Sequence, residues 1–103
     1  MPTKTVKLLM MWNIRPDREA DYFEFVMDDL SPGLEKLGLQ PSEAWYTIYG
    51  EGPQILMGAV AENLDAVQQA LSSEEWSQLK GRLLDLVEDY QQKVIAATER
   101  FQL

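Results

Sequence analysis

Residues 44–61, AWYTIYGEGPQILMGAVA, restrict the fold more than any other stretch. Two runs, apolar or aromatic at nearly every position, flank Gly50-Glu51-Gly52-Pro53, whose glycines and proline suit a turn. The pattern predicts a β-hairpin at the centre of one sheet. Its strands are expected from about Glu43 to Tyr49 and from about Gln54 to Ala61, antiparallel across a short link. Gly58 within the second run either leaves room for a bulky neighbour or marks a bulge.

A first strand is expected over Thr5–Ile14. Val6, Leu8, Met10, Trp12 and Ile14 alternate onto one face, and Lys7, Leu9, Met11 and Asn13 onto the other. A sheet with one wet face shows a polar residue at every second position. Here the second face is polar only at its ends, so both faces are expected to be covered in the middle.

Arg15-Pro16-Asp17 ends that strand, and Pro16 suits the first turn of a helix. A stripe at Phe23, Val26, Met27, Leu30, Leu34 and Leu37 follows at spacings of three and four. Pro32-Gly33 interrupts it, which predicts a kink or short break near Ser31. Gly38 is the expected C-terminal cap. Asn63 is positioned to cap a short helix carrying Leu64, Val67 and Leu71. Ser72 and Glu75 have the capping-box spacing for a second helix. Its stripe runs through Trp76, Leu79, Leu83, Leu86, Val87 and Tyr90, to about Asp89. From Lys93 to Leu103 helix and strand are both open. The β-branched run Val94-Ile95 after a long helix favours a fourth strand.

The order β-α-β-β-α-β over residues 1–103, taken as one domain, is the α+β, ferredoxin-like arrangement. Its antiparallel sheet carries the helices on one face only. The other face, containing Leu9, Met11 and alternate hairpin residues, is an apolar surface that needs a cover. A second copy packed sheet to sheet would supply one and enclose a barrel, so a homodimer is expected.

Composition narrows the function. The formal net charge is −8, and six acids fall between Asp17 and Asp29 with Arg18 the only base among them. Such a surface repels phosphate backbones and anionic bilayers, so neither nucleic acid nor a membrane is an expected partner. The acidic run reads as a solvated helix face. No apolar run reaches spanning length and no leader pattern opens the chain, so a cytoplasmic location is expected. Histidine and cysteine are both absent. That removes thiol and Ser–His or Cys–His chemistry and the usual zinc and copper ligands. No metal site and no cofactor is expected. Asp28-Asp29 and Glu74-Glu75 are adjacent pairs, which diverge on a helix.

One constellation remains with a chemical reading. Met10, Met11, Trp12, Trp45, Tyr46, Tyr49 and Met57 fall on predicted strands. They suit either core and dimer packing or the wall of a pocket for a flat apolar molecule. Alternation groups Met11 with Asn13 and Trp45 with Tyr49. The all-apolar Val6–Ile14 set suits the helix-packed core and the Trp45 set offers polar atoms, so Met11, Asn13, Trp45 and Tyr49 are expected on the face away from the helices as the candidate ligand-binding residues. Tyr46 and Ile48 then face the helices. A one-residue bulge would invert the hairpin half of this assignment.

The segments NIRPDREADYFEF, AWYTIYGEGPQILMGAV, SSEEW and YQQKVIAATERFQL resemble the dimeric α/β-barrel superfamily along the whole chain. The chain looks closest to small uncharacterised bacterial members. That superfamily includes cofactor-independent monooxygenases, isomerases, haem enzymes, ligand sensors and stress-response proteins, so the resemblance implies a fold and leaves activity open. Its haem-binding members use a histidine, which this chain lacks. Its quinone-forming monooxygenases use Asn, Trp, Tyr and Arg around an apolar pocket, residue types present here at Asn13, Trp12 or Trp45, Tyr46 or Tyr49, and Arg15. The expected function is a homodimer that holds a small apolar or aromatic molecule, with a cofactor-independent monooxygenase-like enzyme as its catalytic form. The alternative is a non-catalytic interaction or stress-related protein with a packed barrel.

Overall fold

The computed structural model describes residues 5–47 and 54–96. Within them the chain forms β1 (Val6–Ile14), α1 (Glu19–Phe25), a π-helical turn (Val26–Leu30), α2 (Ser31–Lys36), β2 (Gln40–Tyr46), β3 (Ile55–Ala61), α3 (Leu64–Leu71), α4 (Glu74–Leu84) and β4 (Val87–Ala96). The sheet has the order β2-β3-β1-β4, with every neighbouring pair antiparallel. This is the expected ferredoxin-like arrangement. The hairpin is not its centre, however. β1 enters beside β3, so β1 and β3 form the middle and β2 is an edge strand. The Gly50–Pro53 turn lies outside the described residues.

The alternation read in β1 is the one observed. Leu8, Met10, Trp12 and Ile14 are buried, and their neighbours in between are only partly so. Leu8 pairs with Ala59, Met10 with Met57 and Trp12 with Ile55, so these buried residues of both strands share one face. Tyr22, Phe25, Leu30 and Leu34, with Val67, Ala70, Trp76 and Leu83 from α3 and α4, complete the same core. The helices thus cover one face of the sheet.

The first helical region changes from a π turn to α-helix at Ser31, where a kink or short break is expected, and runs on through Pro32. The Ser31 N–H reaches back five residues to the Val26 carbonyl, forming the wide turn. Proline lacks an N–H and its ring crowds the carbonyl four residues earlier, and a π turn relieves both problems. The wide turn also alters the stripe. Tyr22, Val26, Leu30 and Leu34 step by four, which would drift around an α-helix of 3.6 residues per turn. Widening one turn takes up the drift, so Tyr22 and Phe25 face inward. Phe23 and Met27, assigned to the stripe from spacing, are 42% and 74% exposed.

Several boundaries differ from the sequence reading. Pro16 does not open the helix. Arg15–Arg18 is a turn closed by Arg18 N–H donating to the Arg15 carbonyl at 3.1 Å, with Asp17 at φ 67°. Proline followed by a left-handed residue is the type II pattern, and α1 starts only at Glu19. Ser73 caps α4, its Oγ accepting from the Trp76 N–H at 3.1 Å. Ser72 instead closes α3, so the capping box is not formed. Asn63 caps α3 as read, accepting from the Ala66 N–H at 2.8 Å, and Gly38 sits at φ 85° after α2.

The largest difference is at β4. The expected helix to Asp89 stops at Leu84, and the strand begins at Val87. The β1–β4 register shifts between Met11 and Asn13, opposite Asp89 at φ 60°. This bulge inserts an extra residue, so Val87 and Tyr90 face the same side although three apart. A bulged strand therefore imitated helical spacing. The fourth strand itself is present as expected.

Candidate functional site

The face of the sheet away from the helices carries Met11, Asn13 and Trp45, three of the four candidate residues. Met11 pairs with Leu56, and Leu56 in turn pairs with Trp45. These three residues form a row across β1, β3 and β2. A register shift between Pro41 and Glu43 lies upstream of Trp45 and leaves its assignment as read. Trp45 is 64% exposed. Tyr49 lies outside the described residues.

Two polar groups on this face are already engaged. Lys7 pairs with Glu43, and Glu43 and Ser42 crowd the position a Cβ would take on Gly58. Gly58 thus does both things its sequence suggested: it leaves space, and it faces the bulge in β2. Asn13 sits at the end of β1. Its Oδ1 accepts from the Gln54 N–H at 2.8 Å, and its Nδ2 donates to Asp89 Oδ2 at 3.1 Å. The carboxamide therefore ties β1 to the start of β3 and to the β4 bulge. It retains one donor hydrogen and one lone pair.

A second feature was not legible as a site. On the helix side of the sheet, at its β2 edge, a groove of about 130 Å³ opens between α1 and the strands. Its walls include Tyr22, Phe23, Val26, Trp45, Tyr46 and Ile55, so Trp45 borders this groove as well as the open face. The Phe23 ring lies 5.0 Å from that of Tyr22 and 6.3 Å from that of Tyr46, centroid to centroid. Tyr46 faces the helices, as alternation predicted. Spacing places Phe23 in the core stripe, whereas it is exposed and forms a wall of the groove. Its signal would have been an aromatic on the flank of a stripe already filled by Tyr22 and Phe25.

Beneath the groove lies a stack of aromatic rings. Trp12 Nε1–H donates to the Tyr22 hydroxyl at 3.0 Å. Trp12 stacks on Tyr90 at 5.9 Å with an interplanar angle of 8°. Burial pushes the Tyr22 hydroxyl up to about 12, with the Trp12 hydrogen bond acting in the opposite direction. Burial also raises Tyr90. At neutral pH both are uncharged hydroxyls, suited to packing and hydrogen bonding and not to proton abstraction.

The acidic run has a different place. Asp21, Glu24, Asp28 and Asp29 line a polar cleft of about 270 Å³ with Arg18, Arg82 and Asp85. Arg82 of α4 holds Asp29 at 2.7 Å, and Arg18 holds Asp21 at 3.3 Å. These exposed pairs contribute little stability. Among the described residues, no helix is long and apolar enough to cross a membrane.

No protein-family model and no curated protein matches the chain. Solved structures do share its fold. A hydroxynitrile lyase from Passiflora edulis superposes with a TM-score of 0.77 at 8% identity, covering 98% of this chain and 100% of its own. A NIPSNAP-family protein from Agrobacterium tumefaciens gives 0.72 at 17% identity, covering 93% of this chain and 88% of its own. A dimeric protein of unknown function from Bacteroides fragilis gives 0.62 at 19% identity, covering 90% and 96%. At such identities the likeness extends to the fold and no further. The chain shares the ferredoxin-like fold of NIPSNAP-family and dimeric bacterial proteins.

Proposed function

We propose that the protein is a homodimer, closed sheet to sheet, that holds a small apolar or aromatic molecule. The aromatic groove carries the ligand half of this reading. Its volume of about 130 Å³ has room for one ring, since an engineered protein cavity of roughly 150 Å³ takes benzene. Apolar walls with a few hydroxyls at the rim are the usual make-up of a small-molecule site. The open sheet face carries the dimer half. It presents Leu9, Met11, Leu56 and Trp45 with no helix over them, and a second copy offers the matching apolar surface. The dimeric Bacteroides fragilis protein shares this fold.

Met11, Asn13 and Trp45 would line the space enclosed between the two sheets. That space is a second place for the same class of molecule. As an enzyme, the protein would be monooxygenase-like and cofactor-independent, acting on a bound aromatic. The rival reading is a non-catalytic interaction or stress-related protein whose sheets meet without a cavity. The engagement of Lys7 with Glu43 and of Asn13 with Gln54 and Asp89 favours that rival for the space between the sheets.

An NMR titration with hydroquinone, a single ring bearing two hydroxyls, tests the proposal. Shifts at Phe23, Val26 and Tyr46 are expected, and Val26→Trp, which fills the groove, should abolish them with the fold intact. Shifts confined to Met11 and Asn13 would move the site between the sheets. No shift anywhere would leave the interaction-protein reading standing.

A further inference from the structure

Gln54 is fixed more firmly than a residue at a strand entrance needs to be. Its backbone N–H donates to Asn13 Oδ1 at 2.8 Å, and its backbone carbonyl accepts from the Thr47 N–H at 2.7 Å. Its side-chain Oε1 accepts from the Ile14 N–H at 2.9 Å. A backbone N–H can only donate, so the oxygen of the carboxamide is the atom that faces Ile14. The nitrogen must then point the other way. It does, towards the Tyr46 hydroxyl at 3.5 Å.

This long contact, at the outer reach of a hydrogen bond, bears on which way the Tyr46 hydroxyl is used. A phenol has one hydrogen to donate and lone pairs to accept with. Nε2 of Gln54 is a pure donor, so the Tyr46 oxygen accepts. Among the described residues, no protein acceptor takes the Tyr46 hydrogen. Tyr46 also walls the groove beside Phe23. We infer that Gln54 is a positioning residue that presents the Tyr46 O–H as a donor at the rim. The groove would then select a single aromatic ring carrying a carbonyl or other uncharged oxygen acceptor. The inference rests on the groove reading above and adds to it the polar half of the ligand.

Two probes of nearly the same shape separate the two claims. Acetophenone carries a ketone oxygen where α-methylstyrene carries a methylene. Their affinities for the full chain are measured by NMR titration, and the quantity read is their ratio. Tyr46→Phe should lower the acetophenone to α-methylstyrene ratio by about threefold to tenfold, the worth of one neutral hydrogen bond. It should leave the α-methylstyrene affinity unchanged. Gln54→Glu gives a sharper result. A carboxylate still accepts from the Ile14 N–H, so the strand junction is kept. Its second oxygen now takes the Tyr46 hydrogen and turns the donor away from the groove. The ratio should fall as it does in Tyr46→Phe.

A ratio that Gln54→Glu leaves at its original value would overturn the positioning role. If Tyr46→Phe lowers both affinities equally, the ring is only a wall and the inference falls. Failure of both probes to bind the unaltered protein would remove the groove reading itself, and this inference with it.

Discussion

Trp12 Nε1 and the Tyr22 hydroxyl meet at 3.0 Å in the middle of the core, both side chains almost fully buried. The contact joins the central strand to α1 and satisfies the one donor that indole has. Tyr22→Phe removes the acceptor and leaves that donor buried without a partner. The expected cost is about 1–3 kcal/mol by chemical denaturation. A loss near zero would show that the indole finds water or another acceptor.

The same residue gives the stability a pH dependence. The folded state holds the Tyr22 hydroxyl at about 12, above its ordinary value of 10.0. Burial favours the protonated form, so the contribution is fully present below pH 10 and is lost as pH rises through about 12. Tyr90 is raised too and acts in the same direction. Denaturation curves should therefore weaken between these values, less steeply in Tyr22→Phe and least in the double variant with Tyr90→Phe. Equal slopes for all three proteins would place the alkaline transition elsewhere.

Met11 tests the covered face. It lies in a row with Leu56 and Trp45 on the side without helices. Met11→Glu places a charge at the centre of the proposed sheet-to-sheet contact, where burying it is costly. Light scattering should give twice the chain mass of 11.8 kDa for the original protein and the single-chain mass for the variant. A variant that stays dimeric would move the interface off this face.

Much of the fold was legible because burial imposes a period of two on strands. Leu8, Met10, Trp12 and Ile14 could be assigned to the core from alternation alone, and Trp45 and Tyr46 to opposite faces. Two of the failures share a cause: each is a local insertion that changes the period. The wide turn at Val26–Leu30 rotated Phe23 and Met27 out of the stripe. The bulge at Asp89 made Val87 and Tyr90 look helical. Neither insertion leaves a composition signal, because each is set by hydrogen bonds that bypass one residue. The groove depended on Phe23 being outside the core, so it was hidden by the first of these errors. Asn13 was correctly placed on the open face, but its ties to Gln54 and Asp89 are contacts between distant segments that alternation cannot reveal.

Trp76 is the anchor of α4. Its backbone N–H is capped by Ser73 and its side chain is 3% exposed in the core. Trp76→Ala should cost roughly 3–5 kcal/mol, seen as a large drop in melting temperature. A small drop would mean that the site collapses around the deletion, and the residue would then be open to a binding role.

Gly33 and Leu79 set the distance between α2 and α4. A Cβ on Gly33 would lie 2.6 Å from Leu79 Cδ1, so the glycine is a contact surface and not a flexible point. Its helical position disfavours glycine by about 1 kcal/mol relative to alanine, which the close helix approach must offset. Gly33→Ala therefore combines a propensity gain with a clash that Leu79 can partly relieve by changing rotamer, and its net effect should be small. Gly33→Val adds bulk that a rotamer change cannot absorb, and overpacking of this kind costs about 1–3 kcal/mol. Leu79→Ala opens the space opposite. Introduced alone it should destabilise, since Leu79 packs against the core. Introduced with Gly33→Val it should cost less than the sum of the two single changes, a positive coupling measurable by a double-mutant cycle of denaturation free energies. Strict additivity would show that α2 and α4 do not meet through this pair.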